Sequence, residues 1–390
     1  MKIAVINSGS SSIKFKLFLM PEAKVLAHAL IERIGEEDSH VVFEEGYNEH
    51  VIKDVINTHQ DGLKKINALL KEYGIVEHFS SLDAIAHRVV HGGEYFKDAV
   101  LIDDNVIRKI EELKILAPLH NPVNLDGIVI SRKKAPNVKQ IAVFDTAFHS
   151  TMPKEAYLYA LPYELYEEHK IRRYGFHGIS HSFIMKRTAK EMNADIKDIN
   201  MLSIHLGAGA SICAIKEGKS IDTSMGFTPL EGLVMASRSG DIDPAIVLYL
   251  QKELGLNIDE IDDLLNKHSG LLGICGDLDI REIQNKDDER DKLALEIMAR
   301  RVKKYIGSYT AVLGRIDAVT FTAGIGENSA YIRSEILEDL EVLGIEIDKK
   351  ANDSNSALIS NDSSKTKVFV IKTDEELEIA FQSRDLLMRI

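Results

Sequence analysis

The chain has 390 residues, with 48 Lys and Arg against 61 Asp and Glu for a formal charge of −13. At ~150 residues per domain this length predicts two or three domains, with two favoured. Apolar residues at 45% and charged residues at 28% exclude a disordered or fibrous chain. The negative charge excludes general affinity for nucleic acid or anionic membranes. Two cysteines, Cys213 and Cys275, cannot build a disulfide scaffold or a four-thiolate zinc site. The apolar runs are too short to span a bilayer. The opening Met1 to Ser12 carries one Lys and four successive apolar residues before turning polar, which predicts no signal peptide. A soluble, acidic, cytoplasmic protein is expected.

In chain order, a strand is predicted over Lys2 to Ile6, a turn over Asn7 to Ser12, and strands over Ile13 to Leu19 and Lys24 to Ile34. Leu63, Ile66, Leu69 and Leu70 have helical spacing, which predicts a helix over Gly62 to Tyr73. A strand at Ala84 to Val90, helices over Asn105 to Leu116 and Val123 to Arg132, and a strand at Ile141 to Phe144 complete a first half. The second half repeats the plan. It has strands at Met201 to His205, Ile212 to Ile215 and Ser220 to Thr223, helical segments between Ala245 and Leu313, a strand at Ala318 to Phe321, a helix from Ser329 and a strand at Val368 to Ile371. Three meandering strands followed by alternating helices and strands predict a duplicated α/β fold with mixed sheets, its halves facing a cleft. The last helix, Glu375 to Met388, is expected to return to the first half.

Each half opens with strand, small-residue turn, strand: Asn7-Ser-Gly-Ser-Ser-Ser12 and Gly207-Ala-Gly-Ala-Ser211. Short side chains let backbone N–H groups approach an anion, and hydroxyls add donors. Lys14 lies two residues beyond the first turn. One such loop is read equally well as a plain hairpin; two in matched positions favour phosphate binding. The usual nucleotide motifs are absent. The P-loop pattern ending at Gly218-Lys219-Ser220 has Cys213 in place of its first glycine, and neither Gly207-Ala-Gly209 nor Gly324-Ile-Gly326 reaches a dinucleotide fingerprint's third glycine.

His87-Arg88-Val-Val-His-Gly-Gly93 places an arginine at a strand end, suited either to a bidentate clamp on an anion or to a structural ion pair. Ser237-Arg238-Ser-Gly-Asp-Ile-Asp-Pro244 is a second arginine loop, whose Asp243-Pro244 also reads as a helix start. Asp145 follows the strand Ile141 to Phe144, where α/β active sites collect, though a turn Asp reads the same way. His177, between Gly175 and Gly178, has i, i+4 metal spacing with His181, but no HExxH motif or nearby Cys supports zinc. From pattern alone, Thr373 is an N-cap with Glu376 as its capping-box partner, and Glu375 is favoured by the helix dipole.

Seven segments resemble the acetate kinase (acetokinase) family, in the family's order and over essentially the whole chain. They are Val5-Ile-Asn-Ser-Gly-Ser-Ser-Ser-Ile-Lys14, His87 to Gly93, Phe144-Asp-Thr-Ala-Phe-His149, Arg173-Tyr-Gly-Phe-His-Gly178, Gly226-Phe-Thr-Pro-Leu-Glu-Gly232, Ser237 to Pro244 and Thr322-Ala-Gly-Ile-Gly-Glu-Asn328. The resemblance implies the actin-like sugar kinase/Hsp70 fold, two βββαβαβα-type domains facing a central cleft. It also implies a homodimer and reversible transfer of the ATP γ-phosphoryl group to acetate, giving acetyl phosphate and ADP. Residues 1–147, with the helix 376–390 packing back, are expected to form the first domain and 148–375 the nucleotide-binding second.

Carried across by motif, Asn7 and Glu375 match residues associated with Mg²⁺ (Mn²⁺ being the alternative ion). Asp145, His177 and Arg238 match catalytic residues. Arg88 matches the substrate clamp, and Val90, Leu119, Phe176 and Pro229 the pocket for the acetate methyl. Lys14, the run His205, Leu206, Gly207, Ala208 and Gly209, the run Asp279, Ile280 and Arg281, and the run Gly324, Ile325, Gly326, Glu327 and Asn328 match ATP contacts. The match at Glu375 overrides the capping preference. Three departures stand out: Ala208 and Asp374 occupy positions where the family usually has Asn, and Gly273 to Arg281 looks one residue short.

Acetate is already ionised at neutral pH, so the chemistry must bring two anions together in line rather than activate a weak acid. A propionate or butyrate kinase would differ only in pocket volume, one methylene being worth ~1–3 kcal/mol. A non-enzymatic actin-like ATP switch leaves Arg88, His177 and the methyl pocket without a purpose.

Overall fold

Five of the seven residues in strand β1 (Lys2–Ser8) are buried, as expected of a strand covered on both faces. It lies inside an eight-stranded sheet. The computed structural model describes residues 1–390. It divides into a unit made of Met1–Phe148 with Asp374–Ile390 and a unit made of His149–Thr373.

In the first unit β1 is followed by β2 (Ile13–Leu19), β3 (Lys24–Glu32), β4 (His40–Glu45), β5 (Asn48–Lys53), β6 (Ala84–Val89), β7 (Val100–Leu101) and β8 (Lys139–Phe144). The sheet order is β5-β4-β3-β2-β1-β6-β8-β7. Strands β1 to β5 form an antiparallel meander, while β1, β6 and β8 run parallel. The second unit contains β9 (Asn200–Leu206), β10 (Ala210–Lys216), β11 (Lys219–Thr223), β12 (Ala318–Thr322) and β13 (Lys367–Val370), in the order β11-β10-β9-β12-β13. Here β9 is antiparallel to β10 and parallel to β12, and β12 is parallel to β13. The path β3-β2-β1-β6-β8 is therefore traced again by β11-β10-β9-β12-β13. That is the duplication expected from the element order, with a β4–β5 hairpin and the edge strand β7 added to the first copy.

The helices seal the sheets through apolar faces and a few close glycines. Helix His59–Glu72 starts at Thr58, whose hydroxyl accepts from Asp61 N, and buries Leu63, Ile66, Leu69 and Leu70. At Gly62 an added Cβ would lie 2.9 Å from Ile13 Cδ1 and 3.1 Å from Ile31 Cδ1, so a larger residue would push these side chains aside where the helix meets the sheet. Helix Asn121–Lys134 packs on β1 and β6. In the second unit, Gly178–Glu191 packs on β9 and β12, and Glu289–Leu313 on β9 and β10. No helix is long and apolar enough to cross a membrane.

Three local expectations need correction. The third strand ends at Glu32 rather than Ile34, because Arg33 (φ +59°) and Gly35 (φ +91°) turn the chain. Strands β4, β5 and β7 were not expected; β5 is mostly exposed and polar, so its alternation is weak. The last helix, Glu375–Arg389, is capped by Asp374, whose side chain accepts from Leu377 N. Thr373 bonds instead to Ser180 Oγ at 3.0 Å, and Glu376 pairs with Lys16 at 3.5 Å, so the capping box does not form. The helix packs on β1, β2, β6 and β8 of the first unit.

Candidate active site

In the first unit the candidate residues gather at the carboxyl ends of the parallel strands, where side chains and backbone are free to face a ligand. Asn7 stands near the end of β1, Arg88 near the end of β6, and Asp145 directly after β8. Arg88 donates from Nε to Asp145 Oδ1 at 3.1 Å and from Nη2 to Oδ2 at 2.5 Å, a bidentate pair that fixes the guanidinium plane. Its Nη1 faces Asn7 Oδ1 at 3.4 Å, and Glu375 Oε2 lies 3.8 Å from Nε. Burial pushes the Asp145 carboxyl up to about 6; Arg88 opposes the shift and the negative charge of Glu375 adds to it. Both carboxylates hold the Arg88 guanidinium firmly charged despite its burial.

Buried asparagines brace this cluster. Asn124 accepts from Val90 N and donates to Ser8 O, and Asn121 exchanges two hydrogen bonds with the His91 backbone. Sequence reasoning passed over both; the only signal available was amide residues on the apolar side of a predicted helix. His87 is not part of the cluster. It is buried, bonded to Gln140 at 2.8 Å, and burial pulls its pKa down to about 4. Lys14 is exposed on β2, opposite Asn7 in register. Lys16 pairs with Asp374 at 3.0 Å and with Glu376, tying down the turn that carries Glu375. The unusual Asp374 thus has a charge partner that an Asn could not use equally well. Val90 is buried, whereas Leu119 is exposed.

In the second unit His177 caps helix Gly178–Glu191 in a left-handed conformation, φ +56°, a strained setting that a non-glycine residue occupies only where its surroundings enforce it. Its ring stacks on His205, centroids 4.2 Å apart. A Cβ built on Gly209 would lie 3.4 Å from His177 Nε2 and 3.6 Å from Arg238 Nη1, so both side chains converge on the small-residue turn Gly207–Gly209. Arg238 contacts the Pro229 carbonyl at 3.4 Å and Met235 Sδ at 3.8 Å. Burial alone displaces its pKa, downward, since no carboxylate compensates its charge. A half-buried guanidinium with only neutral contacts, beside an imidazole and open backbone, is built for an incoming anion.

The loop 224–244 that carries Pro229 and Arg238 has no helix or strand and is held by a polar network. Arg173 donates to the carbonyls of Thr223, Ser224 and Met225 and pairs with Glu231 at 2.5 Å. Arg301 donates to Gly232 O and Asp241 O. Phe176 is buried, its carbonyl accepting from His149 Nε2 at 2.9 Å. Gly324 to Asn328 open a short helix after β12. There Glu327 accepts from Ala323 N and Thr373 N, and the fully buried Arg333 donates to Gly326 O. Asp279 caps helix Ile280–Asn285 and pairs with the exposed Arg281. Ala208 is exposed, and its carbonyl accepts from Ala236 N. His205 and Leu206 end β9, buried.

No group of three or more His, Cys, Asp or Glu side chains is placed to hold an ion by itself. The carboxylate and amide oxygens of Glu375 and Asn7 suit Mg²⁺, which commonly takes one or two protein oxygens and completes its shell with phosphates and water. His177 and His181, with metal-ligand spacing, are bonded through Nδ1 and Nε2 respectively to the same serine hydroxyl.

A repeated mixed sheet with Arg88 at a strand end, and Arg238 on a loop beside a glycine turn, defines a phosphotransferase of the duplicated actin-like type. The Acetokinase family profile matches residues 2–381. A curated acetate kinase of Sulfurimonas denitrificans is 64% identical over 99% of this chain and 100% of its own length, and one of Helicobacter pylori is 50% identical over the full length of both. The solved Porphyromonas gingivalis acetate kinase superposes with a TM-score of 0.93 at 42% identity, covering 99% of each chain. A propionate kinase of Francisella tularensis superposes at 0.92 with 44% identity, covering 98% of each. The chain belongs to the acetokinase family, and it is a kinase.

Proposed function

We infer that the chain catalyses reversible transfer of the ATP γ-phosphoryl group to acetate, giving acetyl phosphate and ADP. The observation that carries the reading is Arg238, a half-buried cation with only neutral contacts, converging with His177 Nε2 on Gly209. In a chain of net charge −13, such a site serves a specific anion.

Arg238 offsets the charge growing on the transferring phosphoryl group, His177 donates a hydrogen bond to it, and backbone N–H groups of Gly207 to Gly209 add donors. Arg88, its plane held by Asp145, presents its remaining N–H groups to the acetate carboxylate. Asp145 orients the guanidinium and withdraws no proton from acetate. Val90, Leu119, Phe176 and Pro229 provide apolar surface for the methyl group. Lys14, His205, Leu206, Ala208, Asp279 to Arg281 and Gly324 to Asn328 contact the nucleotide. Asn7 and Glu375 would hold Mg²⁺, which when bound would offset negative charge on the nucleotide phosphates. Transfer is direct and in line, with no phosphoenzyme. The cytoplasm, where ATP is available, is the expected compartment.

The enzyme is read as a homodimer. Helix Ala245–Lys252 buries none of its residues and leaves Ile246, Leu248 and Tyr249 exposed, an apolar face suited to a second copy. Light scattering on Leu248→Glu/Tyr249→Glu should then report a monomer where the parent chain is a dimer.

Trapping acyl phosphate as the hydroxamate, with acetate, propionate and butyrate compared, tests the activity. Highest kcat/KM on acetate is expected. Preference for propionate would move the chain to the neighbouring specificity, and no acyl phosphate from any of the three would refute the reading.

A further inference from the structure

Behind His177 runs a line of hydrogen bonds that the reaction as described does not use. His177 Nδ1 is 2.9 Å from Ser211 Oγ. The same hydroxyl is 2.8 Å from His181 Nε2, and His181 Nδ1 is 2.8 Å from Ser203 Oγ. The sequence arranges this by two periodicities. His177 and His181 are one helical turn apart at the start of Gly178–Glu191, while Ser203 and His205 share one face of β9 with Ser211 directly opposite His205 on β10. Ser203, Ser211 and His181 are all fully buried.

A neutral imidazole offers one donor and one acceptor, and a serine hydroxyl has a single proton to give. His181 is neutral, since burial first, then His149 and His205, drives its pKa well below the ordinary value. With the Ser211 proton given to one of the two rings, the line has two self-consistent polarities when His177 is neutral. In one, His181 Nε2–H donates to Ser211, Ser211 donates to His177 Nδ1, and the His177 proton sits on Nε2. In the other every donor is reversed and the proton sits on Nδ1. Only the first gives His177 a donor at Nε2, the nitrogen that lies with Arg238 beside Gly209.

We propose that Ser211, oriented by His181 and Ser203, is a positioning residue that fixes the tautomer and ring direction of His177, so that Nε2–H points at the transferring phosphoryl group. This rests on the role given to His177 above.

The test combines kinetics with ring-nitrogen NMR. In the intact protein with ATP analogue bound, the His177 ¹⁵N shifts should report protonated Nε2 and unprotonated Nδ1. Ser211→Ala should lower kcat about tenfold, the loss of roughly one hydrogen bond, with both KM values within twofold of the parent. Ser211→Thr, which keeps the hydroxyl, should restore most of the rate. In a His177→Ala background, Ser211→Ala should cause no further loss. A parent protein with His177 protonated on Nδ1 overturns the proposal even if no Ser211 variant folds. So does a Ser211→Ala penalty of the same size with and without His177. Full activity of His177→Ala would instead refute the assignment of His177 itself.

Discussion

Arg88 and Asp145 can be read as a structural ion pair or as a tool, and removing each separately and then both distinguishes the two. The Asp145 side chain is 3% exposed and that of Arg88 is 21% exposed. Breaking such a pair from one side leaves a buried charge uncompensated, at about 3–5 kcal/mol, whereas replacing both members with apolar residues of similar volume is often neutral. Arg88→Met should therefore lower the melting temperature of the first unit by about 6–20 °C. Asp145→Leu should lower it less, because Arg88 retains Asn7 and Glu375. Asp145 in the Arg88→Met chain loses the group that opposed its upward shift, so it is protonated more readily and the penalty shrinks at pH 5 relative to pH 8. The double variant should recover most of the lost stability and none of the turnover, which falls by at least about 10²-fold because the anion clamp is gone. Calorimetry at both pH values, with hydroxamate rates on the same preparations, gives the answer. A double variant as unstable as the sum of the singles would refute the coupling inferred from the bidentate geometry. One that regained turnover would make the pair purely structural.

Three further outcomes follow from particular contacts. The kcat/KM for acetate should fall as pH drops through about 6, where Asp145 gains a proton and releases Arg88; Asp145→Asn should lack that limb. Between about 4 and about 6 the folded chain holds a proton that the unfolded chain has shed, so this group's contribution to stability decreases as pH rises across that window. Ala208→Asn should lower the KM for ATP by up to about a hundredfold if the amide gains a bond to a phosphate, leaving the KM for acetate unchanged; the exposed position has room for it. An unchanged KM for ATP would mean that the backbone already satisfies the phosphate. Lys16→Met frees Asp374 and Glu376 and should raise the Mg²⁺ concentration needed for half-maximal rate severalfold, while removing only about 0.5–1 kcal/mol of stability. A magnesium titration identical to the parent would separate Glu375 from that anchor.

The parts of the molecule legible in the sequence were those written locally. Apolar runs at β1, β6, β8, β9 and β12 and the two small-residue turns were enough to find the repeated sheet, because a strand covered on both faces must be continuously apolar. The β4–β5 hairpin escaped notice because β5 is solvent-facing and its side chains carry little alternation. The cap of the last helix was misplaced by one residue, since Thr373 and Asp374 are both competent caps and the choice is made by Ser180, nearly 200 residues away in the chain. His177 and His181 have metal-ligand spacing without a motif to support a metal; what they share is Ser211, brought to them by the register of β9 with β10, which no local pattern contains. The loop 224–244 shows no periodicity because polar side chains from elsewhere, Arg173 and Arg301, hold its backbone in place of a helix or sheet.

The first unit is assembled from both ends of the chain, with the whole of the second unit lying between Phe148 and Asp374 in sequence. On a ribosome the second unit is fully synthesised before the first can close over its sheet, because β1, β6 and β8 wait for helix Glu375–Arg389 to cover them. Glu375 follows the whole second unit in sequence, so a nascent chain can hold Arg88 against Asp145 and still lack the second carboxylate of the cluster. Competence for the reaction therefore waits on a segment made after the whole second unit, and a chain cut short before residue 374 lacks both Glu375 and the helix that covers β1, β6 and β8.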